Sequence, residues 1–144
     1  MAYRGIADRA ASAWCFGIRV RMDHGCGQMR IAIIGSRRRT DRETIETAVA
    51  GLSAETIVVT GGAEGPDSWA EQAARTWGLA VVVHRPDLDG VHARWQAAER
   101  FYARNQRIVD NADCIIAFVA ADRTGGTEDT IRRARRAGKP VEVR

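Results

Sequence analysis

The sequence has few of the residues that cross-link or rigidify small domains. Of its 144 residues, 3 are cysteines and 3 are prolines. Cys15, Cys26 and Cys114 have neither Cys-x-x-Cys nor metal-ligand spacing, so we expect no metal site and no bound cofactor. An odd number of cysteines argues against a disulfide framework and favours a reducing cytoplasm.

Long apolar runs are also missing. No window approaches the roughly 18 apolar residues that cross a membrane, which excludes a membrane span. A hydrophobic content of 45% and a charged content of 28% are typical of a globular domain. The net charge of +4 suits a phosphate-bearing partner. It does not by itself indicate nucleic acid, because the arginines are spread along the chain.

Residues 1–29 lack any clear periodicity. Their best apolar run, residues 10–18, is interrupted by Ser12 and Gly17, so it makes a poor signal peptide. We interpret residues 1–29 as a flexible or weakly helical extension, and Met29 as a possible natural start. Residues 30–144 are then the folded domain.

From residue 30 onward, short apolar strands alternate with amphipathic helices. The predicted strands cover residues 31–34, 56–59, 79–83, 114–119 and 141–143. The predicted helices cover residues 41–52, 66–77, a long segment after residue 91, and 128–137. This alternation predicts a doubly wound, Rossmann-like α/β domain. We expect a mainly parallel sheet of about five strands with helices on both faces.

Three loops of this fold follow strands and carry glycine. Strand ends of a parallel sheet share one edge, and small residues before a helix leave backbone N–H groups open to an anion. The pattern is neither a Walker A sequence nor G-x-G-x-x-G. The three loops predict a phosphate site made of Gly35, Ser36, Arg37, Gly61, Gly62, Ala63, Glu64, Gly65, Asp67, Gly125, Gly126 and Thr127.

Arginine and amide side chains extend this prediction. We expect Arg37, which is nearest the Gly35-Ser36 turn, to contact phosphate, and Arg38 and Arg39 to face water. Asn105 lies on an otherwise apolar helical stripe, where a buried amide contacts either backbone or ligand. Arg104 beside it is either a surface ion-pairing residue or a second phosphate contact.

Residues 30–144 resemble the SLOG superfamily, which includes Smf/DprA and the LOG phosphoribohydrolases, and especially its small YpsA-related proteins of bacteria and phages. The resemblance is carried by short motifs in a specific order. They are Gly35-Ser36-Arg37, residues 61–67 (GGAEGPD), Arg104-Asn105, residues 112–118 (ADCIIAF) and Gly126-Thr127. It implies a fold that binds nucleotides or nucleotide-derived molecules, often as a homodimer or higher homo-oligomer.

The LOG signature, P-G-G-x-G-T-x-x-E, is incomplete in this chain. Thr130 stands where the glutamate is expected, and residues 122–125 replace the proline and first glycines. The resemblance therefore favours nucleotide binding, in the manner of a sensor, over LOG-type cleavage of an N-glycosidic bond. If the chain is such a hydrolase, the candidate catalytic carboxylates are Glu128, Asp129 and Asp67.

Two further functional interpretations stay open. Glu64 or Asp67 accepts a hydrogen bond from a ribose hydroxyl, or Asp67 simply stabilises the first turn of its own helix. A module that binds single-stranded DNA, like Smf/DprA, is the third hypothesis for the chain. It is not favoured, because the sequence shows no aromatic platform beside a basic groove.

Overall fold

The computed structural model describes residues 12–22 and 27–144. Cys26 and residues 1–11 of the predicted extension lie outside these ranges. The strands are β1 (Ser12–Cys15), β2 (Ile18–Arg21), β3 (Arg30–Gly35), β4 (Ile57–Thr60), β5 (Ala80–Val83), β6 (Cys114–Phe118) and β7 (Val141–Val143). The helices are α1 (Arg42–Ala50), α2 (Pro66–Thr76), α3 (Arg94–Asn111) and α4 (Gly126–Arg136).

Five strands form one parallel sheet in the order β5-β4-β3-β6-β7. Strand β3 is central, with Ile31 paired to Val58 of β4 and Ile33 paired to Ile116 of β6. Strands β4 and β6 are buried along their whole length, as apolar strands covered on both faces must be. The α/β fold class predicted from the sequence is confirmed.

Helices cover both faces of this sheet. Helices α1 and α2 pack on one face, where Ile45 and Ala70 meet Ile33 of β3 in a continuous core. Helices α3 and α4 pack on the other face, where Ile108 and Ile131 contribute to the second core. The predicted helix boundaries are right to within about two residues, and α4 begins earlier than predicted, at Gly126.

A two-stranded antiparallel hairpin of β1 and β2 joins the first face. Its turn residues, Phe16 and Gly17, both have positive φ, as a tight two-residue hairpin turn requires. Cys15 and Val20 point inward and are buried in the same core as Ile116 of β6. The hairpin therefore covers part of the sheet face on which α1 and α2 pack.

Cys15 of the hairpin forms a disulfide with Cys114 of β6. Two expectations were wrong for these residues. A disulfide is present although the odd number of cysteines argued against one, and residues 12–15 and 18–21 are paired strands rather than part of a flexible or weakly helical segment. The odd count misled because it does not prevent two of the cysteines from forming a bond. Within the described ranges, no helix combines the length and apolarity that a membrane crossing needs.

Candidate functional site

The order in which strands are added to the sheet changes side between β3 and β6. From β3 the chain adds β4 and β5 on one side, and it then returns to place β6 and β7 on the other. In open parallel sheets this switch point leaves a crevice at the carboxyl ends of the two strands. A cavity of about 650 Å³ lies there, between the loops that follow β3 and β6 and one face of α3. We call it the switch-point cavity.

The carboxylate of Asp67 joins two of the glycine loops beneath this cavity. It is buried, and it accepts hydrogen bonds from the backbone N–H of Gly61 at 2.9 Å and of Gly35 at 3.2 Å. Burial raises the pKa of Asp67 to about 6, although the Gly61 amide and the Arg104 charge pull it down. The Gly35 and Gly61 amides therefore bind Asp67, and the prediction that they hold phosphate is corrected.

Close packing explains why glycine occupies both positions. A β-carbon on Gly35 would lie 2.5 Å from Cβ of Pro66, and one on Gly61 would lie 2.7 Å from Nη1 of Arg104. These glycines allow the strand ends to approach the start of α2 and the guanidinium of α3. Their role in the structure is thus to bring the loops together beneath the cavity.

The guanidinium of Arg104 forms part of the cavity wall. The residue is only 8% exposed, and it donates through Nη1 to the carbonyl of Gly61 and through Nε to Oδ1 of Asn105 at 3.0 Å. Its Nη2 has no hydrogen-bond partner among the described residues. Burial lowers the pKa of Arg104, Asp67 opposes that effect, and the charge of Arg37 adds to it. Two guanidiniums therefore converge at this cavity.

Asn105 connects Arg104 to the start of α4. Its Nδ2 donates to the carboxylate of Asp129 at 3.1 Å and, more weakly, to the carbonyl of Gly126 at 3.4 Å. Gly125, just before the helix, has a φ of 87°, which a residue with a β-carbon adopts poorly. Within the described part of the chain no side chain caps this helix end, so its first N–H groups are open to an anion.

Arg37 and Arg38 border the cavity from the loop after β3. Arg37 is exposed and makes no hydrogen bond or ion pair with any residue in the described ranges. Arg38 faces water as expected, with 73% of its side chain exposed, and it also forms an ion pair with Asp122 of the opposite loop. Arg39 departs from that expectation, because it bonds to Asp41 and to the carbonyl of Val119.

Helix α3 adds an aromatic wall that the sequence interpretation did not assign to the site. Ala98, Phe101 and Tyr102 line the cavity beside Arg104 and Asn105. These positions follow the helical spacing of i, i+3, i+4 and i+7 from Ala98, so the signal was available from the sequence. The expectation that no aromatic platform stands beside the basic groove was wrong.

The predicted site residues fall into two groups. The cavity is lined by Ser36, Arg37, Ala63, Arg104, Asn105, Gly125, Gly126, Thr127 and Asp129. The remaining positions lie beside or beneath it and do not line it, namely Gly35, Gly61, Gly62, Glu64, Gly65, Asp67 and Glu128. Residues that the prediction missed are Arg38, Ala98, Phe101, Tyr102, Asp122, Thr124 and Arg132.

The two carboxylates at the start of α4 are already engaged. Glu128 forms an ion pair with Arg123, and the residue does not line the cavity. Asp129 does line the cavity, and it accepts from Nε of Arg133 at 2.7 Å as well as from Asn105. Neither carboxylate is thus an unpaired base within the described residues.

Together these features define a class of protein: a Rossmann-like α/β domain with a cationic cavity at the switch point of a parallel sheet. The chain is 34% identical over 123 residues to the Gene 61 protein of Mycobacterium phage D29, spanning 78% of this chain and 93% of that protein. The chain belongs to the family of the Gene 61 protein. No family model matches the sequence.

The fold also matches a solved structure, that of DNA processing protein A (DprA) from Streptococcus pneumoniae. The TM-score is 0.66 at 22% sequence identity, and the match covers 80% of this chain. It covers 50% of the DprA chain, so this protein spans half the length of that one. The likeness supports the SLOG-type Rossmann-like fold that the sequence resembled, and it concerns the fold alone.

Proposed function

We propose that the switch-point cavity binds the phosphate of a nucleotide or of a nucleotide-derived molecule. The observation that carries the proposal is the convergence of Arg37 and Arg104 on the open N-terminus of α4. Arg104 is buried, yet its Nη2 has no partner among the described residues. A buried guanidinium with an unused donor, next to open helix N–H groups, matches an anionic ligand.

The cavity also offers a place for the rest of such a ligand. Ala98, Phe101 and Tyr102 provide an apolar and aromatic wall on which a base can stack. Asp67 is not the group that holds the ribose, because both of its oxygens accept backbone N–H groups. The phosphate is therefore held at the α4 end and the base along α3.

A panel of nucleotides in a thermal-shift assay tests the proposal. We expect at least one nucleoside monophosphate or ADP-ribose-like compound to raise the melting temperature, and Arg37→Ala to weaken its binding about ten-fold. That loss corresponds to about 1.4 kcal/mol, the lower end for a hydrogen bond to a charged group. Arg42→Ala, which removes an exposed arginine from α1, is the matched control. No shift by any phosphorylated compound would contradict the proposal.

Binding of single-stranded DNA is the second candidate function of the same cavity. It gains support from Phe101 and Tyr102 beside Arg37, Arg38 and Arg132, because stacking on aromatics and basic contacts are how such strands are bound. The solved structure with the same fold is that of a DNA processing protein. Competition between a mononucleotide and an oligothymidylate for the cavity would distinguish the two ligands.

Hydrolysis of an N-glycosidic bond is the alternative that the geometry supports least. Glu128 is paired with Arg123, Asp129 with Arg133, and Asp67 lies beneath the cavity. Release of ribose 5-phosphate from nucleoside monophosphates, with loss of that release in Asp129→Asn, would make hydrolysis the function. Without such release the protein is a binder or sensor.

The proposal also covers the family branch, the oligomeric state and the localisation of the protein. We infer a YpsA-related branch of the SLOG group from the order of the sequence motifs. We propose a homodimer or higher homo-oligomer, because Trp95 and Tyr102 are exposed on one side of α3. We propose the cytoplasm on the sequence alone, and the Cys15–Cys114 disulfide is an observation against it, because such bonds persist mainly in oxidising compartments.

A further inference from the structure

The buried carboxylate of Asp67 lies close to the guanidinium of Arg104. A β-carbon added to Gly61 would lie 2.7 Å from Nη1 of Arg104 and 2.9 Å from Oδ2 of Asp67, so both groups flank the same point. Asp67 is 4% exposed and Arg104 is 8% exposed, and water therefore screens the interaction of their charges only weakly. The ionisation state of Asp67 thus changes the electrostatic field at the guanidinium.

The same guanidinium lines the switch-point cavity, whereas Asp67 lies beneath the cavity and does not line it. When an anion occupies the cavity, Arg104 has two anionic neighbours, which are Asp67 below and the ligand above. Two anions that share one cation in a poorly solvated site repel each other. A bound anion must therefore favour the uncharged form of Asp67, and by linkage the uncharged form must favour the anion.

We propose that an anion binds in the switch-point cavity together with a proton, which the carboxylate of Asp67 takes up from solvent. This coupling rests on the proposed function, since it concerns the same anion site, and it adds that pH regulates the site. The proton goes to Oδ1, because the bond that Oδ1 accepts from the Gly35 N–H is 3.2 Å long. Oδ2 keeps the shorter bond of 2.9 Å from the Gly61 N–H.

Other charged groups act on the same pair. Arg37 and Arg107 repel the charge of Arg104 and stay protonated, as arginines do in proteins. Burial lowers the pKa of His84, which follows β5, and the charges of Arg107 and Arg104 add to that effect. Further ionisable groups on the neighbouring elements are paired or exposed, namely Arg42 and Glu46 of α1, Glu64 of the loop before α2, and Asp129 and Arg133 of α4. The protonation of Asp67 must therefore be separated from that of His84 by experiment.

Isothermal titration calorimetry of sulfate into the full chain between about pH 5 and about pH 8 tests the coupling. Sulfate keeps its charge across this range, whereas a phosphate monoester itself titrates with a pKa of about 6. We expect sulfate to bind about ten-fold more tightly at the acid end, because two unit charges about 10 Å apart at an effective dielectric constant of about 20 change a binding constant by roughly that factor. Near pH 6.5, buffers of different ionisation enthalpy should reveal uptake of about half a proton per bound sulfate.

Asp67→Asn mimics the protonated carboxyl. We expect this variant to bind sulfate at about pH 8 as tightly as the parent does at about pH 5, and to lose the dependence on pH. A purely structural role for Asp67 predicts the opposite, which is weaker binding at every pH. The proton uptake of the parent needs no variant, so it tests the coupling even if Asp67→Asn does not fold. Circular dichroism and thermal melting would establish whether it does.

Two variants are matched controls. Asp122→Asn removes a carboxylate that lines the cavity and pairs with Arg38, and it should change the affinity for sulfate by the same factor at each pH. His84→Gln should keep the pH dependence of the parent.

Several outcomes would overturn the coupling. They are an affinity for sulfate that does not change with pH, a pH dependence that persists in folded Asp67→Asn, and one that is lost in His84→Gln. Each of these would leave the anion site itself in place. Absence of sulfate binding at every pH would overturn the coupling too, and the nucleotide panel then decides separately whether the cavity binds a nucleotide phosphate.

Discussion

Asp67 is the single residue on which the loops beneath the cavity converge. Its carboxylate accepts the Gly35 and Gly61 amides and faces the charge of Arg104. The sequence placed it in the site because it follows a glycine loop. The structure shows instead that it shapes the floor of the site from below. Because the carboxyl is buried only in the folded protein, its pKa differs between the folded and the unfolded state.

The raised pKa of Asp67 predicts how stability depends on pH. The folded carboxyl binds its proton with a pKa of about 6, against an ordinary value of 3.8. Because the folded state holds that proton more tightly, the free energy of unfolding should rise by about 2 kcal/mol as pH falls from about 6 to about 4, and by about 3 kcal/mol over the whole titration. Urea unfolding across this range measures the slope.

Asp67→Asn is the variant that isolates this titration. It should be less stable than the parent at every pH, because the amide nitrogen of asparagine cannot accept from a backbone N–H. Its stability should also lack the rise between about pH 6 and pH 4. An equal slope in parent and variant would mean that Asp67 titrates normally. Asp41, whose pKa its bond to Arg39 lowers to about 2, acts in the opposite direction and only in stronger acid.

Gly61 is the second residue whose role is measurable. In Gly61→Ala the new β-carbon would lie 2.7 Å from Nη1 of Arg104 and 2.9 Å from Oδ2 of Asp67. We expect the free energy of unfolding to fall by about 1–3 kcal/mol, as for other overpacked sites. Gly126→Ala is the control, because its nearest neighbour is Nδ2 of Asn105 at 3.8 Å, an ordinary contact. Equal losses in the two variants would argue against the steric explanation.

At the scale of whole elements, hydrophobic periodicity predicted the parallel sheet and did not predict the hairpin. The five parallel strands were predicted because each is a short apolar run next to an amphipathic helix. The hairpin was missed because each of its strands has four residues, too few for a firm pattern, although Ile18, Arg19, Val20 and Arg21 do alternate. Its attachment to β6 includes a disulfide between residues far apart in sequence, which local pattern does not encode.

The disulfide predicts a large effect on the stability of the fold. Cys15 and Cys114 are separated by 99 residues, and in the chain-entropy model closing so long a loop contributes about 4–5 kcal/mol. We expect Cys15→Ala to lower the melting temperature by well over 5 °C. Reductant should lower the melting temperature of the parent and leave that of Cys15→Ala unchanged. Alkylation of both thiols in the unreduced, denatured parent would show that the bond is not formed.

For the molecule as a whole, the sequence predicted where the candidate site lies, but it did not predict which groups inside the site contact one another. The glycine loops had to meet at one edge because parallel strands end there, so their approximate position followed from the fold. Which N–H groups remain open depends on the side chain of Asp67, which binds two of them. Helical spacing puts the aromatic residues of α3 on one side, whereas the packing of α3 against α4 brings that side to the cavity.

The last prediction concerns assembly. Trp95 and Tyr102 are seven residues apart on α3, so they share one side of the helix, and they are 63% and 49% exposed. Tyr102 lines the switch-point cavity and Trp95 extends the exposed stripe beyond it, so this side of α3 is suited to packing against the same helix of a second copy at the edge of the cavity. We expect light scattering to find a dimer, and Trp95→Glu to convert it to monomer. Trp77→Glu is the control, because Trp77 at the end of α2 is also 63% exposed and lies apart from that stripe. A parent that is monomeric at tens of micromolar, or a dimer that withstands Trp95→Glu, would remove α3 as the interface.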